Sequence, residues 1–93
     1  MPRQLVVKLA FWRAYRHFPI PQQQLVDEAL QKFLHYLQTN EAPVGLGIKH
    51  LVGRTFEFRV GLSLRVVYVM TAETVALSLL GSHDEVRRFL KRQ

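Results

Sequence analysis

The chain contains no cysteine, so disulfides, thiol nucleophiles and thiolate metal ligands are all excluded, and a cytoplasmic address is the simplest expectation. No apolar run approaches the roughly 18 residues that a membrane span requires, and the start lacks the charged, apolar, small-residue order of an export signal. Neither a membrane partner nor secretion is therefore expected. There is no nucleophilic Ser elbow, no Gly-rich phosphate loop and no glycosidase-like pair of acids; Gly45 and Gly47 alone make no motif. No two histidines stand four apart and no carboxylate cluster accompanies them, so neither a metal site nor a cofactor is expected. Repeats, low-complexity tracts and linkers are also missing, which leaves residues 1–93 as a single domain with one modest core.

Acidic residues are scarce. Seven Asp and Glu stand against 13 Lys and Arg, giving a formal charge of +6 and an isoelectric point near 10.3. That imbalance favours a polyanionic partner, whether nucleic acid, a ribosome or an acidic protein.

"RQLVVKLAF" begins as a strand, and from Phe11 the spacing Phe11, Ala14, Tyr15, Phe18 suits a short helix with Arg13, Arg16 and His17 turned outward. "FPIP" ends it, and Pro21 opens a longer helix whose stripe is Leu25, Val26, Ala29, Leu30, Phe33, Leu34 and Leu37, stopping near Thr39 and Asn40. "NEAPVGLG" reads as a loop. Three strands follow at about residues 54–60, 64–71 and 74–80, close enough for a meander. Ser82 with Glu85 three residues later forms a capping box before Val86, Phe89 and Leu90. The expected class is α+β: an N-terminal strand, a two-helix hairpin, a three-stranded antiparallel meander and a short C-terminal helix, with the helices packed on one face of the sheet.

One hairpin raises a question of charge. A turn at Gly61, Leu62 and Ser63 sets Arg59 opposite Arg65 on one face, while Phe56, Phe58, Val60, Leu64, Val66, Tyr68 and Met70 share the other. Like charges on one rung destabilise a sheet by up to about 1 kcal/mol. Two readings answer this: a solvated salt-bridge ladder through Glu57, or a phosphate site that Glu57 tempers. On the second, removing Arg65 would leave stability unchanged or improved. The edges of that face receive Lys49, His50, Arg54 and His83. Arginines to neutralise a phosphate and an imidazole to move a proton are the inventory for cleaving a phosphodiester, with no metal needed if the RNA 2′-hydroxyl is the nucleophile. His83, at the first helical position, is disfavoured as a cation by the helix N-terminus and favoured by Asp84 and Glu85, which leaves its shift undetermined. His17 and His35 read as plain surface positions. Arg87, Arg88, Lys91 and Arg92 fit a solvated helical face that can add phosphate affinity.

"IKHLVGRTFEFRVGLSLRVVYVM" followed by "LLGSHDEVRRFLK" resembles the RelE/ParE superfamily of bacterial type II toxins, with their "E-x-R-x-G" strand, "R-x-x-Y" strand and Gly-x-His before the last helix. The resemblance spans the chain, and its specific part is residues 48–90. It implies a small toxin neutralised by an antitoxin. In the RNA-cleaving branch it implies an endonuclease that enters the ribosome and cuts mRNA through its 2′-hydroxyl. By position, Arg59, Arg65 and His83 would be catalytic, and Lys49, His50, Arg54, Arg87, Arg88 and Lys91 would bind RNA. The sequence departs from the family in three places: Arg87 stands where many members have Tyr, the hairpin turn is one residue longer, and Glu57 replaces a lysine found in some. A ParE-like gyrase inhibitor, or a basic nucleic-acid-binding module without activity, shares the same scaffold.

Overall fold

The structure, a computed structural model, describes residues 3–92. Its elements are β1 (Gln4–Val7), α1 (Leu9–His17), α2 (Ile20–Thr39), β2 (Lys49–Val52), β3 (Thr55–Val60), β4 (Leu64–Met70), β5 (Thr74–Ser82) and α3 (His83–Lys91). The strands form one sheet in the order β1-β5-β4-β3-β2, in which only the β1–β5 pair is parallel.

Local chemistry sets the boundaries. Proline in the first turn of α2 suits a position whose N–H has no intrahelical partner, and Asn40 closes the helix in the left-handed region at φ 61°. The β3–β4 turn starts at Gly61, also left-handed at φ 60°, and joins Val60 to Leu64 in register. Ser82 caps α3: its hydroxyl accepts from the Glu85 N–H, and the Glu85 carboxylate accepts from the Ser82 N–H.

α1 and α2 cover one face of the sheet. Val26, Ala29 and Phe33 of α2 and Phe11 of α1 are buried with Phe58, Val60, Val66, Tyr68, Val75, Leu77 and Leu80. Phe33 is the centre, its ring 4.6 Å from that of Phe58 and 4.5 Å from that of Tyr68. Leu25 and Leu34, at the margins of the α2 stripe, remain exposed because the stripe is wider than the surface the sheet offers.

Two features depart from the sequence expectation. "KHLV" is a fifth strand, β2, in a stretch the sequence reading assigned to no element; at four residues, and with a register shift between His50 and Val52, it is too short and irregular for alternation to show. The expectation that the helices share one face holds for α1 and α2 and not for α3. Val86 of α3 is buried outside the main core, and α3 borders Glu57, Arg59 and Arg65 on the opposite face. The cap directly after β5 leaves no linker, so the helix turns back over the face α1 and α2 do not cover.

The Tyr68 hydroxyl is buried with no hydrogen-bond partner among the described residues. Burial, and to a lesser degree Tyr36, raises its ionisation well above the usual phenol range. Below about pH 10 both folded and unfolded chains keep this proton; above it only the unfolded chain releases it, so this group makes stability fall as pH rises. Of the three tyrosines, Tyr68 is expected to ionise only with alkaline unfolding, as read by ultraviolet titration. Tyr68→Phe should keep the packing, remove the unpartnered group and raise stability by about 1 kcal/mol in urea unfolding; a loss of that size would show a partner for the hydroxyl.

Candidate functional site

β3 presents its residues alternately. Phe58 and Val60 enter the core, so Glu57 and Arg59 point to the α3 face. The register pairs Arg59 with Arg65 and Glu57 with Val67 across β3–β4, and Lys49 with Glu57 across β2–β3. On the far side Arg65 pairs with Gly81 of β5, two residues before His83. Sheet and helix enclose a cleft of about 590 Å³ that Lys49, Glu57, Arg59, Arg65, His83 and Arg87 line, with Gly47, Ile48, Leu51, Val86 and Leu90 between them.

Glu57 is the floor of this cleft. It is only 4 % exposed, and its Oε2 accepts from Arg65 Nη1 at 2.6 Å. Arg59 takes no part in that pair. Its backbone N–H donates to the Leu46 carbonyl at 2.8 Å, which ties the 40–48 loop to β3, and its side chain lies against Gly47. A Cβ on Gly47 would stand 3.0 Å from Arg59 Cδ and 3.2 Å from Cγ, and Gly47 is left-handed at φ +61°. Gly47→Ala should therefore lower stability by about 1 kcal/mol through the backbone alone and displace the Arg59 side chain from its place in the cleft; an unchanged urea midpoint would refute this.

Lys49, Arg59, Arg65, His83 and Arg87 come together around Glu57; His50, Arg54, Arg88 and Lys91 do not line the cleft. His50 pairs with Phe56 across the strands, its ring tilted 57° against that of Phe56 with centroids 5.0 Å apart, and has Nε2 2.8 Å from the Gly53 carbonyl. The alternation of β2 thus puts Lys49 and His50 on opposite sides. Arg54 sits in the β2–β3 turn beside a separate pocket, and Arg88 and Lys91 are exposed on α3. The sequence reading missed Gly47, whose signal was a glycine two residues before Lys49; its reading of Glu57 as a counter-ion holds, since Glu57 pairs with Arg65, and the structure adds that Glu57 is buried at the floor of the cleft. The arrangement can neutralise a phosphate with several cations while offering a carboxylate and an imidazole for proton movement. Among the described residues no group of three or more His, Asp or Glu is placed to hold a metal ion, and no helix is long and apolar enough to cross a membrane.

No protein-family model and no curated protein matches the sequence; solved structures do. The YoeB dimer structure from Staphylococcus aureus aligns with a TM-score of 0.69 at 15 % identity, covering 89 % of this chain and 99 % of that one. YafQ in the E. coli DinJ–YafQ toxin–antitoxin complex aligns at 0.67 and 14 %, over 92 % and 98 %. RelE from the RelB–RelE antitoxin–toxin complex of Methanococcus jannaschii aligns at 0.66 and 13 %, over 90 % and 96 %. The chain has the RelE/ParE toxin fold. In that fold the α3-face cleft is the concavity where this sequence concentrates its ionisable side chains.

Proposed function

We propose that this protein is the toxin of a toxin–antitoxin pair and an endoribonuclease that cleaves mRNA on the ribosome. The observation that carries this reading is the convergence of Lys49, Arg59, Arg65, Arg87 and His83 on one cleft around Glu57. The fold agrees with it, since the aligned structures are of toxins, two of them with antitoxin partners. A cognate antitoxin, acidic enough to meet the +6 charge, is the expected protein partner.

In the proposed reaction the RNA 2′-oxygen attacks the adjacent phosphorus. The new O–P bond closes a 2′,3′-cyclic phosphate as the bond from phosphorus to the 5′-oxygen of the next nucleotide breaks. The 2′-hydroxyl proton passes to the Glu57 carboxylate, and His83 donates a proton to the departing 5′-oxygen. Arg59 and Arg65 hold the phosphate oxygens as charge builds on them, with Lys49 and Arg87 at the rim. The scheme needs no metal, so cutting should persist in a chelator. It keeps Arg59, Arg65 and His83 in the catalytic roles that the sequence resemblance implied and adds Glu57; of the six residues expected to bind RNA, Lys49 and Arg87 line the cleft, and His50, Arg54, Arg88 and Lys91 stand outside it.

Primer extension on a defined mRNA, with and without ribosomes, tests the reading. Cuts that require ribosomes, fall at codon positions and vanish in the Arg65→Ala variant support it. An intact message in every lane would overturn it and direct attention to gyrase supercoiling, the activity expected of a ParE-like inhibitor on this fold.

A further inference from the structure

A second cationic pocket, which the proposed reaction does not use, lies at the start of β3 and the end of β4. It measures about 360 Å³ and is lined by Arg3, Gly53, Arg54, Phe56, Met70, Thr71 and Ala72. Its two arginines come from the start and the middle of the chain. Arg3 Nε donates to the Thr71 carbonyl at 2.7 Å, which anchors that side chain at the head of β1. Arg54 is presented by the β2–β3 turn, where Gly53 takes φ +55°, and its carbonyl accepts from the Met70 N–H at 2.9 Å. Among the described residues no carboxylate lines the pocket and neither arginine has an ion-pair partner. Glu73, in the neighbouring turn, spends its backbone carbonyl on the Gln4 N–H and does not line the pocket.

The pocket and the cleft share no lining residue: Phe56 and Met70 pack against the main core on the face opposite Glu57 and Arg59, and the outer strand β2 is the edge between them. Leu51 lines the cleft and Gly53 the pocket, so an RNA strand turning round β2 passes from one to the other, and Arg54 stands five residues before Arg59, about 16 Å along the extended chain. β2 is an outer strand of the sheet, which leaves its free edge open to a second chain lying alongside. We infer that Arg3 and Arg54 form a second phosphodiester site, gripping a phosphate of the same RNA strand a few nucleotides from the one held by Arg59 and Arg65. The inference rests on the reading of the cleft as an RNA site. Under it, Arg54 acts in register and length dependence and has no part in the cleavage step. Guanidinium groups suit this task because their planar donors match two phosphate oxygens at once.

The test is fluorescence anisotropy with non-cleavable 2′-O-methyl RNA, comparing a trimer with an oligonucleotide of about nine nucleotides, a length within the range single-strand sites occupy. Wild type should bind the longer RNA more tightly. The Arg3→Ala/Arg54→Ala double variant should lose about ten-fold on it, with the slope of log affinity against log salt shallower by about 0.7, the share of one phosphate contact on a single strand. Trimer affinity should not change, and Arg54→Lys should keep the salt slope. Arg54→Ala alone serves if loss of the Arg3–Thr71 bond lowers the melting temperature of the double variant. Equal binding of the long RNA by wild type and double variant, while Arg59→Ala weakens it, would overturn the second site and leave the cleft reading standing. The expected length and salt pattern without any cutting in primer extension would do the reverse. Equal affinity of wild type for both lengths would also overturn the inference.

Discussion

Arg65→Ala is expected to abolish RNA cleavage and, at the same time, to lower folding stability by roughly 2 kcal/mol. The rate effect follows from the proposed role: a donor aimed at developing charge in a water-poor site is worth about 10²- to 10³-fold when removed. The stability effect reverses the sign that like-charge relief alone would give. Separating Arg59 from Arg65 gains at most about 1 kcal/mol, whereas orphaning a buried carboxylate costs about 3–5 kcal/mol when its ion pair is fully buried. Glu57 meets that description at 5 % side-chain exposure; Arg65, at 24 %, does not, which brings the net figure down. A double-mutant cycle with Glu57→Gln separates the two effects. Denaturant unfolding should show most of the lost stability restored in Arg65→Ala/Glu57→Gln, while cleavage stays absent. Equal stability of wild type and Arg65→Ala would mean that the Glu57 pair contributes nothing in solution. Arg65→Lys should recover much of the stability and little of the rate, because an ammonium replaces the charge but not the two-pronged geometry.

His83→Ala should lower the cleavage rate by about 10²- to 10⁴-fold, the usual weight of a positioned proton donor, and leave RNA affinity within a few-fold of wild type. His83 is exposed at the start of α3, where the Ser82–Glu85 box fixes the backbone, so the substitution removes an imidazole without disturbing packing. Single-turnover rates under saturating protein, set beside anisotropy with non-cleavable RNA, divide chemistry from binding. Partial recovery of the rate by added imidazole would support the proton-donor role directly. A collapse of affinity at unchanged maximal rate would make His83 a holding group and move the acid elsewhere.

Particular residues show how far the sequence alone carried. The Arg59–Arg65 rung was legible because strand alternation and a three-residue turn leave one register that keeps Phe58 and Val66 on the apolar side; the structure has that register. The Ser82–Glu85 box and the Pro21 and Asn40 ends of α2 were legible because each is a local hydrogen-bond or backbone preference written within a few residues. β2 was not, since four residues with a bulge carry too little periodicity to separate a strand from a loop. For the same reason the sequence could not choose between Lys49 and His50, a choice that turns on which side of one short strand each occupies.

The sequence by itself determined the class of fold, the helix limits, the hairpin register and the surplus of cations, because all of these follow from patterns a few residues long or from simple counts. Only the tertiary structure decided that α3 crosses to the face opposite α1 and α2, that Glu57 is buried under Arg65, and that Arg54 meets Arg3 away from the cleft. Those facts depend on contacts between segments far apart in the chain, up to 68 residues for the Arg3–Thr71 bond. No local pattern encodes such meetings; they are fixed when the sheet closes and each face takes the partner left to it.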